Sequence, residues 1–225
     1  HLRIEGSAVH PLQTRFILDW NQASAKQRIH YSDWYFPAIP KKGDVALQII
    51  SSGPDTDWQV IKNNYLKLIT NAKHYVYIQS PYFIPDESFL DAVRVAALSG
   101  IDVRIMIPER SDSRLVHWGT KSYLAELMEA GVKIYCYQKG FLHSKLVVSD
   151  DSLATVGSTN MDFRSFEHNF EVNAFMYDRI SVLMLKDVFL SDQKDARLIQ
   201  QKAWRVRPWS QKVKESIIRL LAPLL

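Results

Sequence analysis

The sequence predicts an α/β layered domain with a mixed, largely parallel central sheet flanked by helices. Three observations predict it. Short runs rich in β-branched residues alternate with longer stretches of helical period from residue 45 to residue 190. The helical stretches open on Asp57, Asp86 and Ser111-Asp112-Ser113 and stop at Gly100 and Gly131, residue types that cap and terminate helices. At 225 residues the chain can bury a sizeable core, as one domain or two small ones.

In chain order, Leu2 and Ile4 alternate as in a strand. The stretch after them reads as a helix to Trp20, with Val9, Leu12, Phe16 and Trp20 on one face. Residues 21–42 are polar and irregular and read as a linker, whose Trp34, Tyr35 and Phe36 are expected to pack over the core. Residues 45–50 form a strand closed by Ser51-Ser52-Gly53-Pro54, and Asp57 can cap a helix over 58–71. A strand over 74–79 ends in Ser80-Pro81-Tyr82-Phe83-Ile84-Pro85, and Asp86 starts a helix that Gly100 stops. A third strand covers 101–107, a helix follows to Ala130, and a fourth strand covers 132–137.

The next stretch carries chemistry. Residues 142–149 read as a strand, so His143 and Lys145, two apart, point to one side. After a turn at Asp150-Asp151-Ser152 the chain returns over 153–156, and Gly157 lets the backbone come close before Ser158 and Asn160. The fixed positions spell H-x-K-x4-D-x6-G-S-x-N, a chance match on the order of one in a few hundred thousand at ordinary residue frequencies. An imidazole, an ammonium, a hydroxyl and a carboxamide on one side suit an anionic phosphodiester. The imidazole can attack phosphorus or move a proton near neutral pH, and the lysine and amide can hold oxygens on which charge builds. No cluster with metal-ligand spacing accompanies them, so the site is expected to work without a metal or other cofactor. A strand over 171–177 and a helix over about 180–190 complete the alternation.

At these residues the chain resembles the phospholipase D superfamily, whose hallmark is the HKD motif. Gly140-Phe141-Leu142-His143-Ser144-Lys145, Asn160-Met161-Asp162-Phe163-Arg164-Ser165-Phe166 and Asn169-Phe170-Glu171-Val172-Asn173 are similar to the second half of bacterial cardiolipin synthases. Pro81-Tyr82-Phe83-Ile84-Pro85-Asp86-Glu87 is a further match, and the resemblance covers most of residues 43–200. It implies a phospholipase D-like fold and phosphatidyl transfer between two phosphatidylglycerol molecules through a phosphohistidine, with two HKD halves sharing the work. It implies that Lys145 and Asn160 bind phosphoryl oxygens, that Ser158 assists, and that Glu171 hydrogen-bonds His143. The superfamily's first-half histidine is more often the nucleophile, which leaves His143 as general acid and base. The motif aspartate is mainly structural in the family, so Asp150 is the weaker catalytic candidate.

Strand C-terminal ends bear ligands in such sheets, which makes Tyr82, Asp112, Ser113 and His117 candidates for the pocket wall, each with a plain alternative as a cap or turn residue. Arg164 and His168 lie between the motif and Glu171. Arg164 can reach phosphate or pair with Asp162, and His168 stands where the family has an apolar residue. In a lipid enzyme the aromatic residues 34–36 could also line the lipid entrance.

An offset of 173 residues lays Leu2 on Phe175, Ile4 on Tyr177, Val9 on Val182, Leu12 on Leu185, Phe16 on Phe189 and Asp19 on Asp192. With the resemblance, this reads residues 1–42 as the end of a preceding half plus linker, 43–200 as the HKD domain and 201–225 as a tail. The upstream HKD half is then the expected partner.

The net charge of +4 is uneven. Residues 201–225 hold Lys202, Arg205, Arg207, Lys212, Lys214 and Arg219 against Glu215, so the tail is +5 and the remainder −1. A nuclease is expected to carry its positive charge on the body, so no nucleic-acid partner is expected. Trp209, Val213, Ile217, Leu220 or Leu221, and Leu224 recur at helical intervals until Pro223 ends the pattern. A basic amphipathic helix with tryptophan fits an anionic membrane surface, which the resemblance implies is the bacterial inner membrane, and docking on the protein's own core is the alternative. The single cysteine, Cys136, excludes an internal disulfide, and no run of eighteen apolar residues or signal peptide is present. Other phospholipase D-type activities, namely phosphatidylserine synthesis, lipid hydrolysis and nuclease action, stay open beside the main reading, as does a membrane-docking module inert without its partner half.

Overall fold

Strands β1 (Leu47–Ser52), β2 (Tyr75–Gln79), β4 (Asp102–Pro108), β5 (Lys133–Tyr137), β6 (Leu146–Ser149), β7 (Leu153–Gly157), β9 (Glu171–Met176) and β10 (Ala196–Leu198) form one sheet in the order β1-β9-β7-β6-β2-β4-β5-β10. The computed structural model describes residues 1–24 and 26–222. Helices α2 (Val60–Asn71), α3 (Glu87–Leu98) and α4 (Arg114–Glu129) cover one sheet face, and α6 (Arg179–Lys194) covers the other.

The strands read as they do because both faces are buried. Along β2, Val76 and Ile78 enter the core under α2 and α3, while Tyr75 and Tyr77 enter the core under α6. Tyr77 stacks on Phe189 of α6 with ring centres 4.9 Å apart. In α2 the buried residues Ile61, Tyr65, Leu68 and Ile69 fall at helical spacing, as do Phe89, Val93 and Ala96 in α3. Asp86, Ser113 and Asp178 cap α3, α4 and α6 by accepting backbone N–H groups.

The mixed sheet with flanking helices is the predicted class, but its parallel part is smaller than predicted. Within the eight-stranded sheet, among the described residues, only β2–β4 and β4–β5 pair in parallel, and its other ladders are antiparallel. The cause is the motif hairpin β6–β7 and β9, which join the sheet without helical crossovers.

Other differences are local. Residues 1–5 form no strand and line a groove against β1 and α6 instead. Helix α1 (Val9–Ala23) passes Trp20 and buries no residue, with Phe16 and Trp20 stacked on each other in the open. The linker aromatics do not pack over the core: Trp34 is 87% exposed, and Phe36 stacks on Tyr31 instead. Asp57 caps nothing. Gln59 precedes α2 without a side-chain cap, and the Ile61 N–H is satisfied by Ser52 Oγ at 3.1 Å.

Three short strands escape the sequence reading, because two or three residues show no period. They are β3 (Phe83–Ile84) with its parallel partner β8 (Met161–Asp162), and β10 on the edge of β5. The chain closes with α7 (Gln201–Arg205) and α8 (Trp209–Leu220), which docks on α4. Pro223 and Leu224 lie outside the described residues. Among the described residues no helix is long and apolar enough to cross a membrane.

Candidate active site

The sheet directions gather the motif at one edge. β6 runs antiparallel to β2, so its start lies beside the C-terminal end of β2. β7 ends there and β9 begins there, with Gly157 opposite Asn173. His143, Lys145, Ser158, Asn160 and Glu171 all leave the sheet at this edge.

His143 and Lys145 precede β6 in irregular backbone and are not part of a strand. They converge all the same. Lys145 Nζ lies 3.2 Å from His143 Nε2 and donates to the His143 carbonyl at 2.9 Å. The imidazole is exposed, whereas Lys145 is buried. Phe141 stacks on the imidazole at 5.5 Å, and Tyr82 meets it edge-on at 6.4 Å.

Electrostatics tune both groups. Partial burial, then the Lys145 cation, pulls the His143 pKa below the usual histidine value, and Asp112 opposes the shift. Burial also lowers the Lys145 pKa, against the pull of Glu171 and Asp162. Asp162, the cap of the short helix α5 (Phe163–Glu167), is itself raised by burial.

Glu171 does not bond His143. Its buried carboxylate accepts from Ser158 Oγ and, at 3.2 Å, from Asn169 Nδ2. The pairing of β7 with β9 sets Ser158 against Val172, whose N–H donates to Ser158 Oγ at 3.0 Å, so the serine reaches Glu171 first. The charge of Glu171 acts on Lys145 instead. Asn160 Nδ2 donates to Ser165 Oγ at 3.3 Å, and its Oδ1 is buried without a partner. Gly157 is required here, since a Cβ would sit 2.0 Å from Asn173 Oδ1. Asn173 anchors the floor through Tyr65, Thr155 and Thr159.

Tyr82 lies against the His143 imidazole, and its hydroxyl donates to Asp112 at 2.6 Å. Burial and that bond push its phenol up to about 12. Ser113 caps α4 and is no more than a cap. His117 is half-buried on α4, its pKa lowered by burial, with Lys121 and Glu109 as charged neighbours. Arg164 is exposed and makes no ion pair with Asp162 among the described residues, although its charge is felt there. His168 ends α5, exposed. Sequence reasoning missed Phe141 as an imidazole support; its place two residues before His143 was the available signal.

Asp150 stands apart from this cluster. It lies at the far end of β6, where its carboxylate accepts the N–H groups of Lys73, His74 and Tyr75 at 2.6, 3.0 and 2.9 Å. It ties the β6–β7 turn to the start of β2. Asp150→Ala is expected to cost about 2–3 kcal/mol of stability while changing turnover of the folded protein little. Thermal melts beside rates check this, and a large rate loss with an unchanged melt would contradict it.

A family described as cardiolipin synthase, PLD-like domain, matches residues 65–193. The chain is 51% identical over its full length to a cardiolipin synthase of Listeria welshimeri, of which it covers 47%. It is 50% identical to the major cardiolipin synthase of Bacillus subtilis, again over the full chain and 47% of the relative. The chain thus spans about half the length of the curated relatives it matches. Among solved structures, the phosphatidylserine synthase of Haemophilus influenzae is similar in fold, with a TM-score of 0.65 over 80% of this chain and 48% of the other at 14% identity.

Proposed function

Since the chain belongs to the cardiolipin synthase family of phospholipase D-like proteins, we propose that it is one catalytic half of a phosphatidyltransferase. The reaction joins two phosphatidylglycerol molecules into cardiolipin and releases glycerol. A histidine attacks phosphorus, the P–O bond to glycerol breaks, and glycerol leaves with a proton from a second histidine. The terminal hydroxyl of a second phosphatidylglycerol then gives its proton to that second histidine and attacks phosphorus, freeing the first. In this reading the nucleophile stands in an upstream HKD half and His143 moves the protons.

The observation that carries the reading is Lys145 Nζ held 3.2 Å from His143 Nε2. A phosphoryl oxygen arriving there would take the ammonium as its donor and release the imidazole lone pair for proton transfer. Turning the Asn160 amide over would aim its NH2 at a second oxygen while Oδ1 accepts from Ser165 Oγ. Glu171 and Ser158 act as positioning residues for Lys145. Arg164, exposed and without an ion pair among the described residues, is free to meet anionic headgroups. Residues 1–42 are, in this reading, the end of the preceding half and the linker to it. The whole protein works at the bacterial inner membrane, on lipid and not on nucleic acid.

The test is product analysis by the intact protein on phosphatidylglycerol vesicles. Cardiolipin and glycerol in equal amounts are expected. Phosphatidic acid with glycerol would make it a hydrolase, and lipid left untouched while DNA is cut would make it a nuclease.

The pH response is a second check. Asp112 is the acidic group that raises the His143 pKa. Asp112→Asn should therefore lower it further and move the His143 limb of the pH–rate profile to lower pH. A profile displaced to higher pH would remove Asp112 from the site.

A further inference from the structure

Helix α8 is docked with its apolar stripe outward. Trp209, Val213, Ile217 and Leu220 lie three or four apart and share one face. Trp209 is 78% exposed, Ile217 55% and Leu220 82%. The opposite face holds the helix to the body. Ile218 and Ala222 are buried there, and Arg219 pairs with Glu126 of α4 at 2.6 Å and lies over Tyr123. Glu215, the one acidic residue of 201–225, is buried against Arg207 at 2.8 Å. Among the described residues the exposed surface of the tail therefore carries no acidic side chain, and Lys202, Arg205, Lys212 and Lys214 are exposed on it.

A helix that packs on its own protein ordinarily turns the apolar stripe inward. Here the stripe faces away while a buried ion pair and Ile218 fix the helix in place. Val206, also exposed, extends the apolar surface ahead of Trp209. Tryptophan and leucine ringed by lysines match a leaflet of anionic lipid, acyl region inside and headgroups outside. The body, at −1, supplies no comparable attraction, and two copies meeting through this face would bring basic surfaces together.

We propose that α8 is a rigidly mounted membrane-surface anchor, whose Trp209–Leu220 face enters an anionic leaflet and holds the body at the lipid surface. This goes beyond the transfer reaction and does not depend on it.

The test is co-sedimentation of the 225-residue chain with vesicles of phosphatidylserine and phosphatidylcholine, an anionic mixture that is not the proposed substrate. Trp209→Glu and Leu220→Glu alter exposed side chains, so unchanged thermal melts are expected. Each should weaken binding about 10-fold. Lys212→Gln and Lys214→Gln should each cost roughly 5-fold at low salt and much less at high salt. Pure phosphatidylcholine vesicles should bind the parent weakly. Binding of the stripe variants equal to the parent's would overturn the proposal. So would a parent dimer that Trp209→Glu and Leu220→Glu split with vesicle binding unaltered, since the stripe would then cover a second copy.

Discussion

His143→Ala in the intact protein is expected to lower cardiolipin formation at least about 100-fold, the loss typical of an acid–base group, with its melting temperature unaltered. The imidazole is exposed, and its contacts are the faces of Phe141 and Tyr82 and the Lys145 ammonium. Its removal opens no cavity in either core. In the proposed sequence His143 first gives a proton to the departing glycerol and must start as imidazolium, so this limb of the wild-type rate should fall as pH rises through the lowered His143 pKa. Parallel rate and melting measurements separate the outcomes. An unchanged rate would make the motif structural.

Lys145→Ala is expected to cost a comparable factor, roughly 100- to 1000-fold, as loss of a preorganised donor does. It should also lower stability, which sets it apart from His143→Ala. Lys145 is buried beside Glu171 and Asp162, both buried carboxylates. No ion pair joins Lys145 to them among the described residues, and burial outweighs their pull on the ammonium, so the loss expected on truncation is that of the packed stem, about 1–2 kcal/mol. Lys145→Met keeps the stem and its packing but not the charge. It should lose turnover but keep its melting temperature, which assigns the first loss to charge and the second to volume. A methionine variant that turns over normally would remove Lys145 from the chemistry.

The motif residues were legible because residue type and spacing mark them in the sequence itself. His143 and Lys145 converge although their segment is not a strand, and Ser158, Asn160 and Glu171 follow from the hairpin and from β9. What was illegible involves residues distant in sequence. Nothing local places Tyr82 against an imidazole 61 positions later, or sets Asp112 on the Tyr82 hydroxyl. The partner of Glu171 was misread because strand register, which decides it, is a property of the assembled sheet. Strands β3, β8 and β10 fall below the length at which alternation can be seen. In the tail the periodicity identified the apolar stripe, but only tertiary packing decides whether it turns inward, and the alternative of core docking holds for the opposite face of α8.

Cardiolipin formation on phosphatidylglycerol vesicles should be compared for three samples: the 225-residue chain, the upstream half of the full-length protein, and the two combined. A centre completed by two histidines predicts no turnover by either piece alone and restored turnover on combination, abolished again by His143→Ala. Sustained cardiolipin formation by the purified, monomeric 225-residue chain would contradict it.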